Sequence, residues 1–206
     1  MTNYKSIAGE FTYEPNKIKG SRHIASARPV SSETAAMEFV AENRNRHRTA
    51  NHHAYAWRLG CDGELFRYSD DGEPSGSAGR PILRQIDAKG LTEIIVVVSR
   101  IFGGTKLGVG GLVRAYGGAA AAALERAQIV VVAPKTRMRI EYPYVCSNAI
   151  QAVLHGHQIT LLDSEFGAAV VQHLEVLQTE AEDICRELRD ATAATAVVNI
   201  LHDSAD

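Results

Sequence analysis

Leu91-Thr-Glu-Ile-Ile-Val-Val-Val-Ser-Arg-Ile-Phe102 runs directly into Gly103-Gly-Thr-Lys-Leu-Gly-Val-Gly-Gly-Leu-Val-Arg-Ala-Tyr116. The first stretch is a β-branched apolar run, which predicts a buried central strand over 91–102. From Gly110 to Ala127, Leu112, Val113, Tyr116, Ala119, Ala120, Ala123 and Leu124 recur at helical spacing and build one apolar face. The alanines and glycines of that face allow close packing on a sheet. Gln128–Ala133 is the next strand. The junction is therefore strand, glycine loop, helix, strand.

Working outward, residues 4–29 read as extended. Ser31-Ser32-Glu33 opens a helix with a serine cap and an early acid, ending in the basic cluster Arg44-Asn-Arg-His-Arg48. His52–Leu59 and Glu64–Tyr68 flank Gly60-Cys-Asp-Gly63 as a hairpin. The tandem His52-His53 must point to opposite faces of its strand, one toward core or loop and the other toward solvent. After Ser69-Asp-Asp-Gly-Glu-Pro-Ser-Gly-Ser-Ala-Gly-Arg-Pro81, a short helix covers Arg80–Lys89 with Pro81 in its first turn.

Pro134 marks a boundary. Beyond it the pattern is β-α-β-β-α-β: strands over 136–142, 158–163, 166–173 and 195–201, with helices over 144–155 and 175–190. That order is the ferredoxin-like unit. The expected class is α+β in two domains, residues 1–134 and 135–206.

The formal charge of −2 hides an asymmetry: residues 1–134 carry 17 Lys/Arg against 13 Asp/Glu, and residues 135–206 carry 5 against 11. A slightly basic first part admits an anionic partner there and an acidic second part does not. Cys61, Cys146 and Cys185 are far apart with no C-x-x-C, which disfavours a disulfide framework or zinc ribbon and suits a reducing compartment. No signal peptide or bilayer-spanning run is present in the sequence, so a cytoplasmic location with no membrane partner is expected.

Two glycine-rich loops carry the candidate chemistry. Asp70, Asp71 and Glu73 could build the loop, bind a partner's donors, or hold a metal and act as acid and base. Ser75, Gly76 and the residues entering the helix at Arg80 form a candidate cradle of amides for an anion. The second loop fails the nucleotide fingerprints: no Lys precedes Ser or Thr at P-loop spacing, and Val113 occupies the third glycine of a dinucleotide turn. What remains is Gly103, Gly104, Gly108, Gly110 and Gly111 flanked by Arg100, Lys106 and Arg114. That set suits a phosphate, including one of an RNA backbone, or else glycine required for packing alone. No nucleophile elbow, H-E-x-x-H motif or Cys–His pair completes a catalytic site, and no cofactor is implied.

Together, Ser69–Pro81 and Phe102-Gly-Gly-x-x-Leu-Gly-x-Gly-Gly-Leu-Val-Arg-Ala-Tyr116 resemble the two signatures of the IMPACT/YigZ family. Lys19-Gly-Ser-Arg22 and Ala50-Asn-His-His-Ala-Tyr-Ala-Trp57 extend the resemblance, which is strong over residues 17–130. It implies a ribosomal protein S5 domain 2-like first domain and a second like the C-terminal, ferredoxin-like domain of elongation factor G. The family commonly has Thr where Ser77 stands, an exchange that keeps the hydroxyl. Eukaryotic relatives regulate translation through a protein partner, using an extra domain not found in this sequence. The expectation is a non-enzymatic binding protein linked to translation, contacting RNA or the ribosome through both loops. The alternatives are a metal-dependent hydrolase using Asp70, Asp71 and Glu73, or a protein–protein module docking through the acidic loop.

Overall fold

The computed structural model describes residues 3–201. They form two compact units, one spanning Asn3–Val132 and one running on from Ala133.

The first unit contains β1 (Tyr4–Ile7), β2 (Phe11–Tyr13), β3 (Arg22–Pro29), α1 (Glu33–Arg46), β4 (His52–Leu59) and β5 (Leu65–Ser69). It continues with α2 (Gly79–Ala88), β6 (Ile94–Ile101), α3 (Val109–Arg126) and β7 (Ile129–Val132). Five strands make an antiparallel sheet in the order β2-β3-β6-β4-β5, and β1 pairs separately with β7. The β-branched run is thus the central strand. Both of its faces are covered, which is why it reads as continuously apolar. Ile95 and Val97 pack with Phe39 and Val40 of α1, whereas Ile94, Val96 and Val98 pack with Ile82 and Ile86 of α2 and Ala120 and Leu124 of α3. Ala25, Ala27, Ala54 and Ala56 flank β6 on that second face, and their small size lets α2 and α3 lie close to the sheet.

Ser32 caps α1 through its hydroxyl, which accepts from the Ala35 amide (3.1 Å). The basic cluster at its other end is engaged in ion pairs: Arg44 with Asp71, and Arg46 with Glu10.

Strand register positions the site. Arg100 on β6 lies opposite His23 on β3 and opposite His52 on β4. Since side chains alternate along strands, these three polar residues extend the row of Ala25, Val98 and Ala54. They therefore stand on the α2/α3 face, where the apolar core ends.

The second unit contains β8 (Lys135–Tyr142), a 3₁₀ turn (Tyr144–Cys146), α4 (Ser147–Leu154), β9 (Ile159–Phe166), β10 (Val170–Leu177), α5 (Ala181–Ala191) and β11 (Val197–Leu201). Its antiparallel order β11-β8-β10-β9 is that of a ferredoxin-like sheet. Met138, Ile140, Leu174 and Val176 pack against Ile150 of α4 and Ile184 and Leu188 of α5. Two expectations need correction. The strands expected over 158–163 and 166–173 turn at Gly167–Ala169, so β9 reaches Phe166 and β10 continues to Leu177. The helix expected from residue 175 begins at Ala181, because Val170, Gln172, Leu174 and Val176 are buried at strand spacing.

Candidate functional site

The acidic loop folds inward. Asp70 accepts hydrogen bonds from the amides of Gly76 (2.8 Å), Ala78 (2.9 Å) and Gly79 (2.9 Å). The amides read as a cradle for an external anion are thus filled by the chain's own carboxylate, which also supplies the negative charge that an α-helix N-terminus favours. Asp71, at φ +45°, accepts from the His53 amide (2.6 Å) and from Arg44 (2.7 Å). The Ser77 hydroxyl donates to the Pro74 carbonyl (2.6 Å), the bond that a hydroxyl at this position is suited to make. Gly79 passes so close to the Ser69 backbone that a Cβ would meet it at 2.6 Å. Asp70, Asp71 and Glu73 engage separate partners, and among the described residues no three His, Cys, Asp or Glu side chains converge as a metal site would require.

Glu73 is different. Its side chain is only 4% exposed, and its Oε1 accepts from Arg100 Nη1 (2.6 Å) and from the Tyr116 hydroxyl (2.8 Å). His52 Nε2 lies 3.9 Å from the same oxygen. His52 Nδ1 is 2.8 Å from the Asp71 carbonyl; a carbonyl only accepts, so Nδ1 carries a proton, and in that neutral tautomer the lone pair is on Nε2. Burial, reinforced by the bond to Glu73, raises the Tyr116 hydroxyl above the ordinary tyrosine range, so it acts as a donor at neutral pH. His23 stands edge-on to Tyr116, ring centroids 5.3 Å apart, with neither ring nitrogen hydrogen-bonded among the described residues. Burial first, then the nearby Arg100 charge, lowers its pKa to about 4 and keeps it neutral.

This polar floor underlies a cleft of about 540 Å³ to which both loops contribute. Asn51, His52, Glu73 and Pro74 line one side; Phe102, Lys106, Leu107 and the start of α3 line the other. Arg100 is 6% exposed, its guanidinium 5.5 Å from the Phe102 ring, and its buried Nε has no partner among the described residues. Asn51 ties the two sides together, donating its amide to the Arg100 carbonyl (2.8 Å) and accepting from the Phe102 amide (2.9 Å). Helix α3 begins without a side-chain cap: Gly108, at φ +71°, holds the N-cap position that a serine or aspartate would ordinarily fill.

Of the residues singled out in the sequence, Glu73, Arg100, Lys106 and Gly108 line the cleft. Asp70, Asp71 and Gly76 build the acidic loop behind it, and Ser75 is exposed. Arg80 and Arg114 are exposed and outside the lining, as are Gly104 and Gly110. Gly103 serves packing, since a Cβ there would lie 1.9 Å from the Gly20 backbone. Gly111 sits in the first turn of α3, where a Cβ would press on Leu107 at 3.0 Å. The tandem histidines do point to opposite sheet faces, but neither is free in solvent: His52 is half-buried in the cleft, and His53 is 7% exposed and bonded to the Ser99 hydroxyl (2.9 Å). Sequence reasoning missed His52, Phe102 and Tyr116 as site residues; all three lie within the motifs that carry the family resemblance.

Residues 19–124 match the family model of the Impact N-terminal domain, and residues 140–195 match a domain of unknown function. The chain is 35% identical to the IMPACT family member YigZ of Escherichia coli, over 84% of this chain and 86% of that protein. It is 32% identical to an IMPACT family member of Haemophilus influenzae, over 90% and 91%. A Thermus thermophilus IMPACT family member is 54% identical, over 53% of this chain and 58% of the relative. A solved structure described as a hypothetical protein superposes with a TM-score of 0.77 at 31% identity, covering 99% of this chain and all of the other. The chain belongs to the IMPACT family.

Proposed function

We propose that this is a non-catalytic binding protein of the translation system that meets RNA or the ribosomal surface through the cleft of its first unit. The observation that carries the reading is that both glycine-rich loops line one cleft. The glycine loop brings Lys106, the uncapped start of α3 and the exposed ring of Phe102 to its rim, over the buried guanidinium of Arg100. Cations and free helix amides suit phosphates, and an exposed aromatic suits an unstacked base. The link to translation comes from the family resemblance. The hydrolase alternative is weakened because Asp70, Asp71 and Glu73 are each engaged elsewhere.

The test is co-sedimentation with ribosomes and filter binding of structured RNA across a salt series. Binding that weakens steeply with salt is expected, with a slope reduced in Lys106→Ala. No binding at low salt, or binding indifferent to Lys106→Ala and Phe102→Ala, contradicts the proposal. Arg100→Ala is not a clean probe, because it strands Glu73 in the core.

A further inference from the structure

We infer that the cleft receives a single ribonucleotide unit, with the base against Phe102, the ribose hydroxyls donating to His52 Nε2 and Glu73, and the phosphate at the start of α3. This rests on the binding reading above and names its ligand. The cleft presents three chemically distinct surfaces. Its volume of about 540 Å³ falls in the range of sites for small organic ligands.

The floor offers acceptors. In the tautomer that donates Nδ1–H to the Asp71 carbonyl, His52 Nε2 has a lone pair, and Glu73 is engaged through Oε1 alone among the described residues. Two acceptors side by side call for a ligand with two adjacent donors. A cis-diol supplies them, and carboxylates bind ribose hydroxyls in this way in nucleotide sites generally. The wall is apolar. Phe102 is 45% exposed and Val109 57%, and the Arg100 guanidinium beside the ring reinforces a stacking platform.

The third surface is cationic. The first amides of α3 have no side-chain cap, and Lys106 has no acidic partner among the described residues. Arg100, more than nine-tenths buried and paired through Nη1 with Glu73, lines the same cleft and places a guanidinium beneath this surface. Inorganic phosphate would leave the acceptor floor unmatched, and a fatty acid would cover it with hydrocarbon. A nucleotide carries a flat apolar face, vicinal hydroxyls and an anion together. A paired base has no exposed face to stack, so the ligand is a free nucleotide or an unpaired nucleotide of RNA.

The experiment measures binding of labelled single-stranded RNA, DNA of the same sequence and duplex RNA by fluorescence anisotropy, and of the four nucleoside monophosphates by calorimetry. Single-stranded RNA is expected to bind about tenfold or more tighter than DNA or duplex, a difference of ~1.4 kcal/mol. His52→Asn keeps a donor toward the Asp71 carbonyl but removes Nε2, and should abolish the preference for RNA while the melting temperature is retained. Phe102→Ala, at an exposed position, should weaken RNA and DNA alike. Binding of the monophosphates identifies a free nucleotide as a sufficient ligand; binding of oligomers alone identifies the RNA chain. Equal affinity for RNA and DNA, a preference that survives His52→Asn, or no binding of any of these ligands overturns the inference. Ribosome binding that persists while every nucleotide ligand fails leaves the broader reading standing; nucleotide binding without ribosome or structured-RNA binding removes that reading and keeps the nucleotide site.

Discussion

The acidic loop and the glycine loop face the same cleft yet treat their charges in opposite ways. Asp70, Asp71 and Glu73 are all turned onto partners within the chain: the amides entering α2, the His53 amide with Arg44, and Arg100 with Tyr116. Lys106 and the first amides of α3 have no such partners among the described residues. Charge density in a sequence therefore does not measure what a ligand can reach. The acidic loop commits most of its charge to its own scaffold, with Glu73 alone reaching the cleft, while the glycine loop leaves its cation and helix amides open.

The contrast can be broken most forcefully at Glu73. Glu73→Ala leaves the Arg100 guanidinium buried without its carboxylate and should cost about 3–5 kcal/mol in chemical denaturation. A loss below ~1 kcal/mol would show that the pair is not the structural hinge between the loops.

His23 gives the next effect. Its folded pKa of about 4 lies below the ordinary value of 6.5, so the unfolded chain binds more protons between these limits. Its contribution is therefore full above pH 6.5 and is lost as the pH falls toward 4, amounting to up to about 3 kcal/mol. His23→Gln should flatten the stability profile in that window relative to the parent; parallel profiles would refute the buried neutral imidazole.

Asp70→Ala removes the acceptor of three amides and should destabilise by about 1.5–3 kcal/mol in thermal or urea unfolding. Smallest in stability is Lys106→Ala with Arg114→Ala, within ~0.5 kcal/mol. The same pair should reduce the salt slope of single-stranded RNA binding, by about 0.7 for each lost phosphate contact. If instead that pair unfolds the protein and Asp70→Ala does not, the two loops have been assigned the wrong way round.

Much of the fold could be read in advance. The β-branched run had to be central because only a strand covered on both faces tolerates Ile94–Val98, and the alanine-rich face of α3 announced close packing. The β9–β10 boundary could not be read this way. Glu180, Ile184 and Leu188 suit a helical repeat, while Leu174 and Val176 suit a strand, and only pairing with β8 decides where one gives way to the other. At the site, the cleft was legible as two motifs but not as a division of roles. That Asp70 folds back over six to nine residues to fill the amides of Gly76–Gly79 depends on a turn that no local spacing encodes. Likewise, the alignment of His23, Arg100 and His52 exists only through the pairing of three strands distant in sequence.

The most direct measurement is a titration of the isotopically labelled protein with single-stranded RNA, following backbone amide shifts by NMR. The account predicts saturable shifts at Lys106, Gly108, Val109, Gly110 and Gly111, with the Gly76, Ala78 and Gly79 amides unmoved because Asp70 already holds them. Shifts concentrated at Gly76–Gly79, with the start of α3 silent, would contradict it.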